Sequence, residues 1–142
     1  MRDPFFMNIL VVDNNAVWLE TLKRGLNING HEVMEAMSAN EALMNLSNPN
    51  TPDIELVLTD YVMTEMNGIE LLKEIRKNFG SLPVVIMTAY VEKVLLIDAF
   101  RNHCNDFIEK SFTLEQLMQK IKKVMKQRQN GSCQNGIGSV II

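Results

Sequence analysis

A chain of 142 residues, 46% of them hydrophobic and 22% charged, has the size and composition of one ordinary globular domain, which excludes collagen-like, wholly disordered and many-domain architectures. Its 14 basic and 17 acidic residues leave a formal charge of -3, so no excess of Lys and Arg points to nucleic acid or an anionic membrane as the main partner. Two cysteines, Cys104 and Cys133, are too few for a disulfide framework or a zinc cage, which favours a reducing, cytoplasmic setting. The apolar runs fall well short of the roughly 20 residues that cross a bilayer. A leader over 1–6 is too poor in basic and apolar residues for a secretory signal.

Short apolar runs alternate with helical patterns along 7–127. Strands are expected over 8–12 (NILVV), 31–36 (HEVMEA), 54–59 (IELVLT), 82–88 (LPVVIMT) and 105–109 (NDFIE). Helices are expected between and after them, over 17–28, 39–46, 68–79, 91–102 and 114–127. The last carries one apolar stripe of Leu114, Leu117, Met118, Ile121, Val124 and Met125. Ser38 with Glu41, and Thr113 with Gln116, have the spacing of capping boxes, while Gly30 and Gly80 close two helices. Strict β/α alternation predicts an α/β domain with a parallel sheet covered by helices on both faces. The first, third and fourth strands lack polar alternation and should be central, and the more polar second and fifth suit edges. The segment 128–142, with the glycine-rich run QNGSCQNGIGSVII from Gln129, reads as a flexible tail or linker, and Asn130-Gly131-Ser132 as a chance sequon.

In open parallel sheets, ligands bind beyond the carboxyl ends of the strands, near the point where strand order reverses. The polar residues at those ends are Asp13, Asn14 and Asn15 after the first strand, Asp60 after the third, Thr88 at the end of the fourth and Lys110 after the fifth. Each has an ordinary structural role open to it: a helix cap for Asp13, a strand residue or cap for Thr88, a solvated cation for Lys110. Together they make a site for phosphoryl transfer onto a carboxylate. Asp60 is the expected nucleophile, Lys110 the fixed cation and Thr88 the hydrogen-bond donor to the charged phosphoryl oxygens. Asp13 and Asn14 would help to hold Mg²⁺, which takes oxygen ligands in octahedral geometry.

These segments resemble the receiver domains of two-component response regulators. NILVVDNN is similar to the acidic first-strand motif, LVLTDYVMTEMNGIELLKEIR to the phosphoacceptor segment, VVIMTAY to the Thr/Ser segment and NDFIEKSF to the lysine segment. The spacings are 47 residues from Asp13 to Asp60, 28 on to Thr88 and 22 on to Lys110. The resemblance spans roughly 7–127 and implies a flavodoxin-like, doubly wound fold with five helices and strand order 2-1-3-4-5. It implies phosphorylation of Asp60 by a sensor histidine kinase or phosphotransfer protein, with Asp13, Asn14, Asp60 and the Val62 carbonyl around the metal. It also implies contact of Thr88 and Lys110 with the phosphoryl group, and a switch made of Thr88 and Phe107. Partner contacts, and any homodimer, would lie on the fourth and fifth helices, 91–102 and 120–126. The module would be a phosphoacceptor rather than an enzyme, without direct binding of nucleic acid or membrane.

Three positions depart from the family pattern. Asn14 stands where a second acid is usual, and a unit charge pair at about 4 Å and an effective dielectric near 20 is worth on the order of 4 kcal/mol before desolvation, so Mg²⁺ should bind more weakly. Ser111 follows the lysine in place of a proline; a cis bond before serine costs about 2.5–4 kcal/mol, so a trans loop is expected. His103 replaces the glycine after the fourth helix. These departures motivate an alternative reading, a phosphorylation-impaired receiver-like adaptor for protein–protein interaction. A phosphohydrolase would carry Asp-x-Asp where Asp13-Asn14-Asn15 stands, and a flavin site would want a Ser/Thr/Gly-rich phosphate loop in place of this acidic one.

Overall fold

A computed structural model describes residues 6–129. Five strands and five helices alternate: β1 (Asn8–Val12), α1 (Ala16–Ile28), β2 (Glu32–Ala36), α2 (Ala39–Ser47), β3 (Leu56–Asp60), α3 (Gly68–Phe79), β4 (Val84–Thr88), α4 (Lys93–Arg101), β5 (Asp106–Glu109) and α5 (Leu114–Gln129). All strand pairs are parallel and the order is β2-β1-β3-β4-β5, the flavodoxin-like arrangement. The strands without polar alternation are central and the polar ones lie at the edges, because only a strand covered on both faces can be apolar throughout.

Alternate residues of the central strands feed two cores. Ile9, Val11, Leu56, Leu58, Val85 and Met87 pack on one face with Leu19, Leu22 and Leu26 of α1 and Leu117, Ile121 and Val124 of α5. Leu10, Val12, Val57, Val84 and Ile86 pack on the other, with α2, α3 and Ala99 of α4. This follows from the two-residue period of a strand. Residues 1–5 of the leader and most of the segment from 128, including the sequon, lie outside the described residues.

Several boundaries differ from expectation for identifiable reasons. β4 starts at Val84 because Pro83 has no N–H to donate, although its carbonyl accepts from Val57. β3 begins two residues later than 54 and includes Asp60, which pairs with Met87. Asp60 is thus the last residue of the strand. α4 is shorter than 91–102, and its N-cap, Glu92, makes no side-chain capping bond. α5 runs two residues past 127. The Thr113–Gln116 box is reciprocal (2.9 and 3.1 Å). Ser38 caps Glu41 at 3.0 Å, but the Glu41 carboxylate reaches Met37 N instead of the cap residue. A third box, Asn67 with Glu70, starts α3.

The α4–β5 turn depends on Arg76. His103 occupies the left-handed region with φ 67°, where a side chain is unfavourable. Arg76 of α3 donates to His103 O from Nε (3.0 Å) and Nη2 (2.7 Å), and to Asn105 Oδ1 at 2.8 Å. Its Nη1 reaches the carbonyls of Gly80 (3.0 Å) and Leu82 (2.6 Å). One guanidinium therefore ties α3 to the turns on both sides of β4, and the fork geometry of arginine suits it to several acceptors at once. Arg76→Leu is expected to lower folding stability by roughly 2–4 kcal/mol in urea denaturation, because it strands several carbonyls. Adding His103→Gly should recover part of the loss by relieving the left-handed strain.

Candidate functional site

The polar residues singled out from the sequence gather at the carboxyl ends of β1, β3, β4 and β5, beside the β1/β3 point where strand order reverses. Asp13 directly follows β1. Its backbone N–H donates to Ala36 O at 3.0 Å, extending the ladder, and its side chain is fully buried. Its Oδ1 accepts from Asn15 N at 2.9 Å. Asn15, not Asp13, caps α1, accepting from Trp18 N at 3.1 Å. Asp13 is thereby left free of a capping role.

Lys110 joins the two carboxylates. Its Nζ lies 2.8 Å from Asp13 Oδ2 and 3.2 Å from Asp60 Oδ2. The backbone N–H of Lys110 donates to Thr88 O at 2.6 Å, which sets the start of the side chain at the end of β4. Burial lifts the Asp60 carboxyl above its ordinary pKa, and the charge of Asp13 adds to this, outweighing Lys110 and the Val62 backbone hydrogen bond. For Lys110, burial alone pulls the pKa down, yet the hydrogen bonds and charges of Asp13 and Asp60 prevail and hold it above its ordinary value. The lysine is therefore a permanent cation at neutral pH.

The remaining residues are placed less directly. Thr88 is buried at the end of β4, with its hydroxyl donating to Tyr90 O at 3.1 Å and accepting from Tyr90 N at 3.4 Å, so it is engaged by its own loop. Phe107 is buried in the core on the side of α3 and α4. Asn14 and Val62 are exposed at the rim. The peptide between Lys110 and Ser111 is trans, as expected, and no cis bond occurs among the described residues.

Gly68 and Trp18 are two contributors that the motif reading missed. A Cβ on Gly68 would lie 2.5 Å from Asp60 O and 3.0 Å from Tyr61 Cα, so only glycine lets α3 press against the backbone that carries Asp60. The Lys110 ammonium lies 5.3 Å from the centre of the Trp18 ring. Spacing from the acidic loop offered a weak signal for Trp18, five residues after Asp13 in the first turn of α1, but a tryptophan in an amphipathic helix reads first as core.

The donor set fits a small, hard cation. Two carboxylates are held close enough for one to raise the pKa of the other, and oxygen donors from Asn14 and Val62 lie on the same loops. No cluster of three or more His, Cys, Asp or Glu side chains suited to a metal occurs among the described residues.

The Response regulator receiver domain family model matches residues 9–122. The chain belongs to this family of two-component signalling modules. It is 34% identical over 122 residues to a chemotaxis protein CheY homolog of Campylobacter jejuni, covering 84% of this chain and 92% of that protein. It is 32% identical over 124 residues to response regulator MprA of a Mycobacterium species, covering 85% of this chain and 51% of that one. The crystal structure of a response regulator receiver domain protein from Clostridium thermocellum superposes with a TM-score of 0.80 at 28% identity, covering 87% and 97% of the two chains. Receivers of this family generally bind Mg²⁺ in an acidic pocket and interact with histidine kinases or phosphotransfer proteins. No described helix is long and apolar enough to cross a membrane.

Because the carboxyl of Asp60 binds its proton more tightly folded than unfolded, its ionisation opposes folding above the unfolded-chain pKa. Asp60→Asn should therefore raise the urea midpoint at pH 7, and its advantage should shrink as the pH falls toward 4, where the unfolded carboxyl is also protonated.

Proposed function

We propose that Asp60 accepts a phosphoryl group from a histidine kinase or phosphotransfer protein, and that the product switches partner binding. The observation that carries this reading is the Lys110 ammonium held between Asp13 and Asp60, at 2.8 and 3.2 Å. A carboxylate oxygen of Asp60 attacks phosphorus, the bond to the donor nitrogen breaks with its electron pair leaving on the donor imidazole, and an acyl phosphate forms. Lys110, already charged and already in place, meets the phosphoryl oxygens without reorganisation. Mg²⁺, when bound, supplies further positive charge at those oxygens; Asp13, Asp60, the Asn14 amide oxygen and the Val62 carbonyl would hold it.

Thr88 and Phe107 are the proposed switch. The Thr88 hydroxyl exchanges its bond to Tyr90 O for a phosphoryl oxygen, which releases the loop after β4 and changes the packing around Phe107. That loop leads into α4, which lacks a side-chain cap and exposes Val94 and Ile97, with Tyr90 and Val91 just before it. A weakly anchored helix is a suitable element for a two-state equilibrium. This surface, with the exposed lysines of α5, is where partners or a second copy would dock. The module is a phosphoacceptor of the cytoplasm that assists its own phosphorylation and dephosphorylation, not an enzyme acting on a separate substrate.

Asn14 favours a second reading, an adaptor whose phosphorylation is impaired. Intact mass after incubation with acetyl phosphate separates the two. We expect a gain of one phosphoryl group in the wild-type protein that requires Mg²⁺ and is lost in Asp60→Asn. Asn14→Asp should shift the Mg²⁺ midpoint for this gain roughly tenfold lower, about 1.4 kcal/mol. No gain in folded wild-type protein, recovered in Asn14→Asp, would establish the adaptor.

A further inference from the structure

Lys110 must hold its ammonium between two carboxylates at the end of a flexible four-carbon stem, and the residue after it is Ser111, which does little to stiffen the loop. The structure shows what stands in for that stiffness. The ammonium lies over the face of Trp18, 5.3 Å from its centre and within cation–π range. Phe112, two residues beyond Lys110, meets Trp18 edge-on at 5.4 Å and 63°. The loop between them is closed by Phe112 N donating to Glu109 O at 3.0 Å. Both ends of the lysine's loop are thus referred to one indole.

The backbone that carries the indole is in turn tied to the acidic loop through its amide. Trp18 N donates to Asn15 Oδ1 at 3.1 Å, and Asn15 N donates to Asp13 Oδ1 at 2.9 Å. With Asp13 Oδ2 on Lys110 at 2.8 Å, the contacts form a closed circuit from Asp13 through Asn15 and Trp18 to Lys110 and back. The Trp18 Nε1 is buried without a hydrogen-bond partner among the described residues. An orphaned buried donor is unfavourable, so this position uses the ring face of the indole rather than its N–H.

We propose that Trp18 is a positioning residue for Lys110: its ring face, propped by Phe112, holds the ammonium in line with Asp13 and Asp60. The consequence for phosphoryl transfer rests on the function proposed above; the placement of Lys110 does not. Trp18→Phe keeps a ring face and removes the orphaned N–H, whereas Trp18→Leu keeps apolar volume without a π face.

Two measurements on the full chain test this. In NMR spectra, ring current should move the Lys110 ε-methylene protons upfield in the wild-type protein, with the resonance assigned by its loss in Lys110→Met. The shift should persist in part in Trp18→Phe and vanish in Trp18→Leu. With acetyl phosphate and Mg²⁺, Trp18→Leu should lower the maximal rate of phosphoryl gain roughly five- to tenfold with little change in the donor concentration at half-maximal rate, and Trp18→Phe should stay within about threefold of wild type. An unchanged Lys110 resonance in folded Trp18→Leu would overturn the proposal, as would equal slowing by Phe and Leu. Should wild-type protein take up no phosphoryl group, the functional reading falls, while the Lys110 resonance still decides whether the lysine side chain lies over the Trp18 ring.

Discussion

Two carboxylates that would repel each other, joined by one lysine, form the constraint around which the domain is arranged. Asp13 is fully buried and Asp60 nearly so, and neither tolerates its charge in that position without a cation. Lys110 supplies it from the turn directly after β5. The pair of short contacts leaves the site electrostatically tense: Asp60 still binds its proton more tightly than a solvated carboxyl, so burial and Asp13 together outweigh the lysine. Such a site gains from additional positive charge.

The scaffold keeps this arrangement by close approach rather than by covalent ties. Gly68 lets the start of α3 abut the backbone of Asp60 and Tyr61, while Asn67 and Glu70 fix where that helix begins. At the opposite end of the same helix, Arg76 holds the turns before β4 and β5, including His103 in its left-handed conformation. α3 is therefore anchored at both ends. α4 is not: it has no side-chain cap and buries only Ala99 fully. The two helices that flank β4 on this face therefore differ in how firmly they are anchored.

Much of this was legible in the sequence. Central strands showed as unbroken apolar runs, edge strands as polar ones, and the four strand-end residues Asp13, Asp60, Thr88 and Lys110 stood out because a parallel sheet brings its carboxyl ends together. The departures at Asn14, Ser111 and His103 were visible as well, and the trans peptide before Ser111 follows from backbone energetics, whereas the left-handed His103 runs against them and is held by the tertiary contact with Arg76. Less legible were the positions whose meaning is a contact. Nothing local marks Arg76 as the partner of a turn 27 residues away, or distinguishes Gly68 from an ordinary first helical residue.

What the sequence determined by itself was the period of each element, its caps and the chemical types at the strand ends, since these depend on neighbours within a few residues. The tertiary structure alone decided which groups meet: that Lys110 spans Asp13 and Asp60, that Thr88 bonds to its own loop, and that Trp18 lies under the lysine. The reason is physical. Such contacts are set by strand order and by the packing of α1 and α5 on one face of the sheet, and a few ångströms there separate a charge pair from two solvated side chains.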